Sequence, residues 1–144
     1  MNSQIRLATI IGTTSWGTTL GILLANQGIE TKLIVRSKKE ETLLNSSKEN
    51  LARLAGHSFP INLTASADMK DSLKDADLIV IACPSHSYRA NIQKIDYSSI
   101  KQTAVFVSAT KGLEKETGKR MSQLFSEEFN GKLDERFSVL SGPN

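Results

Sequence analysis

The sequence has 144 residues, of which 39% are hydrophobic and 23% are charged, and these proportions are ordinary for a single globular domain. The net charge of +3 is too small to indicate nucleic-acid binding, but it suits an anionic small molecule if the charge is concentrated in one cleft. The single cysteine excludes an internal disulfide and favours a reducing compartment, and the apolar runs are too short for a signal peptide or a membrane span. We therefore expect a cytoplasmic protein with a small-molecule ligand.

The predicted elements alternate between strands and helices along the chain. In chain order, strands are predicted at 5–11, 32–36, 61–64, 77–82, 104–109 and 137–140, and helices at 15–27, 38–55, 68–74, 87–94 and 117–129. Several strands are continuous apolar runs, as parallel strands buried on both faces usually are. The charged runs at 38–41 and 114–116 are interpreted as mostly solvated faces, and the stripe of Met121, Phe125 and Phe129 as core packing. The pattern predicts an α/β fold with a doubly wound, mainly parallel sheet and helices on both faces.

A glycine-containing turn follows the first predicted strand. Gly12 and Gly17 fit the first and third glycines of the dinucleotide-binding fingerprint, while Thr14 stands where the second glycine is expected. A β-branched residue there would cost about 1–2 kcal/mol if the position needs positive φ, although its hydroxyl could donate to a phosphate. A nucleoside-triphosphate loop needs Lys next, but Thr18 follows, so that alternative is disfavoured. The turn predicts a Rossmann-type dinucleotide-binding domain, although strand–turn–helix units also contain glycines without binding a ligand.

The end of the second predicted strand bears on the choice of nucleotide. Arg36, Ser37, Lys38 and Lys39 follow one another there, without the acidic residue that binds the ribose of NAD. Cations and a hydroxyl favour a 2′-phosphate, so we expect NADP(H) to be preferred, with NAD(H) left open. The alternative interpretation is the solvated start of the next helix.

Four stretches together resemble one family. They are GTTSWGT at 12–18, ACPSH at 82–86, SATKGLE at 108–114 and LSGPN at 140–144. In this order they are similar to the soluble NAD(P)-dependent glycerol-3-phosphate dehydrogenases, and the resemblance covers essentially the whole chain. It implies hydride transfer between NAD(P)H and dihydroxyacetone phosphate or sn-glycerol 3-phosphate.

The resemblance and the fingerprint together give the expected site residues. The expected cofactor-binding residues are Gly12, Thr14, Ser15, Trp16, Gly17, Arg36, Tyr88 and Lys111, and the expected substrate-binding residues are Lys111, Gly142 and Asn144. Lys111 follows the fifth predicted strand, where a cation could neutralise substrate phosphate or developing alkoxide charge; it could also be an exposed loop lysine. No His/Cys cluster has the spacing of a metal site.

The resemblance also concerns domain organisation. It implies that residues 1–144 are a C-terminally truncated cofactor domain, and that the family's catalytic lysine and helical substrate domain lie beyond residue 144. Catalytic residues therefore stay unassigned, and we expect the isolated chain to lack turnover. Self-association through uncovered apolar surface is a further expectation.

Two alternative functions stay open. A non-catalytic dinucleotide-binding module is the first. A different nucleotide-dependent α/β enzyme is the second, but it explains the glycine turn and not the sequence context of Lys111 and Gly142.

Overall fold

The computed structural model describes residues 4–142. Strands and helices alternate throughout this range. The elements are β1 (Leu7–Ile11), α1 (Ser15–Asn26), β2 (Glu30–Ile34), α2 (Lys38–Ser47), β3 (Leu63–Ser66), α3 (Met69–Lys74), β4 (Leu78–Ile81), α4 (Ser85–Ile92), β5 (Val105–Ser108), α5 (Met121–Glu128) and β6 (Phe137–Val139), with short 3-10 turns at Tyr97–Ser99 and Asp134–Arg136. Within the described residues, no helix is both long and apolar enough to cross a membrane.

The strands form one parallel sheet in the order β3-β2-β1-β4-β5-β6. At the centre, Ile11 of β1 is in register with Ile34 of β2 on one side and Ile81 of β4 on the other. The chain runs outward from β1 in one direction and then returns to continue in the other. A crevice therefore opens at the carboxyl ends of β1 and β4, where ligands bind in such sheets. The predicted doubly wound α/β fold is confirmed.

The sheet is buried on both faces because consecutive strand residues point in opposite directions. Ile10 and Ile11 illustrate this, since each is at most 1% exposed and each belongs to a different apolar cluster. The cluster that contains Ile10 is covered by α1 and α2. The cluster that contains Ile11 is covered by α3, α4 and α5.

The aromatic side chains concentrate on the face covered by α5. The ring centroids of Phe106 and Phe125 are 5.2 Å apart, and those of Phe125 and Phe137 are 4.2 Å apart. Met121, Phe125 and Phe129 are all at most 4% exposed. The prediction that this stripe packs in the core is confirmed, and burial of these large side chains is a main stabilising contribution on this face.

Two element boundaries differ from prediction in ways that shape the site. Helix α2 ends at Ser47, eight residues earlier than predicted, because Lys48 takes the left-handed conformation (φ 53°) and closes the helix. The following segment is largely irregular and reaches the glycine turn. Strand β2 ends at Ile34, two residues earlier than predicted. Arg36 therefore lies in the loop beyond the strand, at the rim of the crevice.

Candidate functional site

The turn between β1 and α1 depends on its two glycines. Gly12 has a φ of +120°, and a Cβ added there would lie 2.8 Å from main-chain atoms of Ala82 and Cys83. A Cβ added at Gly17 would collide with the carbonyl oxygen of Gly12. The start of α1 is thereby packed closely on the ends of β1 and β4. The geometry matches the roles of the first and third glycines of the fingerprint.

Thr14 is unstrained and caps α1, so the condition for strain at this position is not met. Its φ is −67° with an extended backbone, so no positive-φ strain arises. Its Oγ1 accepts the Gly17 N–H at 3.0 Å and donates to the Ala82 carbonyl at 2.8 Å. The hydroxyl proton expected to serve a phosphate is therefore directed at β4. Through these two hydrogen bonds, Thr14 connects the start of α1 to the residue that follows β4.

The first turn of α1 retains donors for an anion. The Gly17 N–H is capped by Thr14, and the Thr18 N–H donates to the Thr14 carbonyl at 2.9 Å. Helix geometry leaves the amides of Ser15 and Trp16 without intrahelical acceptors. These amides lie at the positive end of a 12-residue helix dipole. The turn therefore fits a pyrophosphate, the group that this motif holds in dinucleotide-binding domains.

The segment between α2 and β3 forms one wall of the crevice. Asn50 is 4% exposed, and its Nδ2 donates to the Thr13 carbonyl at 3.2 Å and to Thr18 Oγ1 at 2.9 Å. Ser15 Oγ donates to the Arg53 carbonyl at 2.6 Å. This segment is therefore attached to both sides of the glycine turn.

Asn50 and Arg53 were not predicted as site residues. The predicted helix from 38 to 55 placed both on a helical surface, away from the turn. A buried Asn whose amide closes a loop is a long-range feature, and local periodicity does not indicate it.

A carboxylate lies beside Arg36, where cations and a hydroxyl were expected. Glu40, in the first turn of α2, accepts the Thr13 Oγ1 proton on Oε1 at 3.0 Å and the Arg36 N–H on Oε2 at 3.0 Å. Ser37 caps the same helix by accepting the Glu40 N–H at 3.2 Å. The interpretation of 38–41 as a solvated face is therefore wrong for Glu40, which joins the end of β2 to the glycine turn.

The larger of two adjoining cavities lies between the turn and the end of β2, and its volume is about 730 Å³. Its charged lining residues are Arg36, Arg53, Lys94 and Glu40. Three cations against one carboxylate favour an anionic ligand in this cavity.

The second cavity, of about 450 Å³, lies on the other side of the turn and is lined by Trp16 and Lys111. It shares Thr14 and Pro84 with the first cavity, so the two meet at the start of α1. Lys111 Nζ lies 6.0 Å from the centroid of the Trp16 ring, within cation–π range. Of the predicted residues, the structure thus places Gly12, Thr14, Ser15, Trp16, Arg36 and Lys111 in the lining of these two cavities, whereas Gly17 lines neither and packs against Gly12.

Tyr88 does not reach either cavity. Its side chain is 0% exposed and packs in the core cluster that also contains Phe106. Burial raises the pKa of the Tyr88 hydroxyl well above its ordinary value. The expectation that Tyr88 contacts a cofactor is therefore corrected, because α4 directs this side chain into the sheet rather than towards the crevice.

Gly142 lies on the same carboxyl edge of the sheet as Lys111. The Leu140 N–H donates to the Ser108 carbonyl at 2.9 Å, which carries the β5–β6 pairing to the ends of both strands. Gly142 follows with a φ of +147° and is exposed, and it lines neither cavity. Asn144 lies outside the described residues.

The segment that carries Lys111 is anchored by an ionic cluster, defined here as Arg89, Glu114, Glu127 and Glu128. Arg89 donates to both Glu114 carboxylate oxygens, at 2.7 and 2.9 Å, and also to Glu128 at 2.5 Å and Glu127 at 3.1 Å. Hydrogen bonds from Arg89 and then Thr117 lower the pKa of Glu114 to about 2. The predicted solvated face at 114–116 is wrong for Glu114, which is 8% exposed.

Together these features define a class of protein. A parallel sheet in this strand order, a glycine turn at its switch point and a two-part crevice above the turn are those of a Rossmann-type dinucleotide-binding domain. Residues 7–144 match the family described as the N-terminus of NAD-dependent glycerol-3-phosphate dehydrogenase, and the chain belongs to this family. The predicted resemblance is confirmed.

Relatives support the same assignment. The chain is 38% identical over 136 residues to glycerol-3-phosphate dehydrogenase (NAD(P)+) of Dehalococcoides mccartyi and 36% identical over 135 residues to that of Corynebacterium diphtheriae, in each case over 94% of this chain. The solved structure of glycerol-3-phosphate dehydrogenase from Coxiella burnetii superposes with a TM-score of 0.83 at 27% identity, over 96% of this chain. The chain spans 38% and 40% of the lengths of the two curated relatives and 41% of the Coxiella chain.

Proposed function

We propose that this chain binds a nicotinamide dinucleotide across the two cavities. As part of a complete enzyme, it would serve hydride transfer between NAD(P)H and dihydroxyacetone phosphate or sn-glycerol 3-phosphate. The observation that carries the proposal is the glycine turn at the junction of the cavities, with the start of α1 directed at the same point. When bound, the nicotinamide supplies or accepts the hydride, while the protein binds, orients and shields it.

Each cavity has its own role in this proposal. The larger one holds the adenosine end beside Arg36, and the amides of Ser15 and Trp16 hold the pyrophosphate. The smaller one places the nicotinamide near Trp16 and Lys111. Lys111 then neutralises the substrate phosphate or stabilises negative charge on the reacting oxygen.

The substrate-side wall and the domain organisation are also part of the proposal. Gly142 is assigned to that wall because the end of β6 shares the sheet edge with Lys111, and Asn144 is assigned to it from membership of the family alone. Since the chain spans only 38–41% of the length of these relatives, we propose that turnover needs a further, substrate-binding part of the enzyme. The single cysteine, Cys83, supports a cytoplasmic location.

We further propose that NADP(H) binds more tightly than NAD(H), since Arg36 and Arg53 both line the larger cavity. A 2′-phosphate carries more negative charge than a hydroxyl and gains more from guanidinium groups.

A binding module without catalysis is the second candidate. Thr14 favours it, because its side chain lies where the two cavities meet and where a second glycine would give a phosphate closer access.

Calorimetric titration of the chain with NADPH and NADH tests the proposal. We expect saturable binding of both, with the lower Kd for NADPH, and no oxidation of NADPH on adding dihydroxyacetone phosphate. Failure of both nucleotides to bind at millimolar concentration would overturn the binding proposal. Equal Kd values would overturn the preference, and substrate-dependent oxidation would refute the need for a further part.

A further inference from the structure

Glu40 is fixed in the larger cavity by two donors from different parts of the chain. The Thr13 hydroxyl of the glycine turn donates a hydrogen bond to Oε1, and the main-chain N–H of Arg36 donates one to Oε2, both at 3.0 Å. A carboxylate that accepts one hydrogen bond on each oxygen is held in position more firmly than an exposed side chain. Glu40 also lines the cavity. It is therefore a fixed negative charge between the glycine turn and Arg36.

The position of Glu40 matters because a residue of opposite charge, Arg36, lines the same cavity next to it. Glu40 accepts from the main-chain N–H of Arg36, and Arg36 is itself a lining residue of the same cavity. A carboxylate accepts a hydrogen bond from a hydroxyl, whereas it repels a phosphate dianion. A guanidinium group has the opposite preference. The pair can therefore discriminate between a ribose hydroxyl and a ribose phosphate.

From these contacts we infer that Glu40 is a specificity-determining residue, and that its carboxylate offsets Arg36 and Arg53 and keeps NADH bound alongside NADPH. The inference rests on the proposed binding of the adenosine end in this cavity. With an unphosphorylated ribose, Glu40 accepts a hydrogen bond from the 2′-hydroxyl. With a 2′-phosphate, Glu40 opposes the two arginines. Glu40 thus limits the preference for NADPH that the cations alone would give.

The test compares Kd values for NADPH and NADH in the parent chain, Glu40→Gln and Glu41→Gln. Glu40→Gln keeps the size of the side chain and removes its charge. Glu41→Gln makes the same charge change one residue later, on a side chain that accepts from the Ala67 N–H and Lys38 and does not line the cavity. Circular dichroism verifies that each variant is folded.

We expect Glu40→Gln to shift the ratio of Kd for NADH to Kd for NADPH towards NADPH by about five- to tenfold, the effect of removing one nearby charge from a partly exposed site. Glu41→Gln should leave the ratio within about twofold, because Glu41 does not line the cavity and its carboxylate is paired with Lys38. The shift should shrink as salt rises from low to molar concentration, which a purely structural role would not produce.

Three results bear against the inference. An unchanged ratio in Glu40→Gln, with both nucleotides bound, would overturn it alone. An equal shift in Glu41→Gln would also overturn it, because the effect would then follow net charge rather than position. If neither nucleotide binds the parent chain or the variants, the proposed function fails and the inference fails with it.

Discussion

Thr14 shows at the scale of one residue how a departure from a motif can preserve the motif's geometry. A threonine at this position of the fingerprint would be strained at positive φ, but Thr14 is unstrained and its hydroxyl makes two hydrogen bonds within the protein. The fixed contacts explain how the turn tolerates the substitution. They do not give the phosphate the close access that a glycine provides.

Thr14→Gly should therefore change stability and affinity in opposite directions. Loss of the hydrogen bond to the Ala82 carbonyl and of the cap on Gly17 lowers the free energy of unfolding by about 1 kcal/mol. Removal of the side chain from the junction of the cavities should lower the Kd for NADPH. Urea denaturation and calorimetry measure the two effects, with Thr14→Ser as the control that keeps the hydroxyl. Weaker nucleotide binding in the glycine variant would contradict the steric part of this account.

Gly17 is the residue where a single methyl group should be most costly. An added Cβ meets the rigid carbonyl oxygen of Gly12, so we expect Gly17→Ala to lower the free energy of unfolding by at least about 2 kcal/mol. Gly21→Ala, in the same helix, is the matched control. Its Cβ would lie 3.1 Å from Leu33 Cδ2, the end of a side chain and not a main-chain atom, and the gain in helix propensity offsets the cost of that contact, so the change should stay within about 1 kcal/mol. Equal losses in both variants would contradict the tight-turn interpretation.

At the scale of elements, local pattern was sufficient for the fold but not for the walls of the crevice. Apolar runs separated by amphipathic stretches predicted every strand and helix, because these patterns depend on neighbouring residues. Asn50 and Glu40 each bond to Thr13, which lies 37 and 27 residues away along the chain, and contacts at that separation produce no periodic pattern in the sequence. The spacing of Ser37 and Glu40 is that of a helix capping box, so the sequence did offer a signal that Glu40 turns back over the helix start.

The ionic cluster predicts a pH dependence for the element that carries Lys111. The folded-state pKa of Glu114, about 2, lies below its ordinary value of 4.5, so its contribution to stability is complete above pH 4.5 and is lost as the pH falls towards 2. Glu114→Gln should therefore lower Tm at neutral pH, and the difference from the parent chain should shrink on acidification. Thermal melts at a series of pH values measure this. Glu116→Gln, an exposed change on the same segment, is the control. A difference that grows on acidification would contradict the assignment.

At the scale of the whole molecule, β6 leaves an apolar edge on the described part of the sheet. Val139 and Leu140 are 53% and 42% exposed at the last strand in the sheet order. Unprotected strand edges pair with other strands, so we expect concentration-dependent self-association of the chain. Val139→Lys should reduce it, whereas Leu43→Lys, at a 59% exposed position on α2, should not. Sedimentation velocity measures the oligomeric state at each concentration, and a monomer at every concentration would contradict the expectation.

The central claim is that a nicotinamide dinucleotide binds at the carboxyl edge of this sheet, across the glycine turn. Two-dimensional ¹⁵N NMR of the chain during titration with NADPH tests it most directly, because each amide reports its own surroundings. We predict the largest shifts at Gly12, Ser15 and Gly17, with further shifts at Arg36 and Lys111 in the two cavities. Chemical-shift changes confined to the β6 edge or to the exposed face of α5, with the amide resonances of the glycine turn unchanged, would contradict the account.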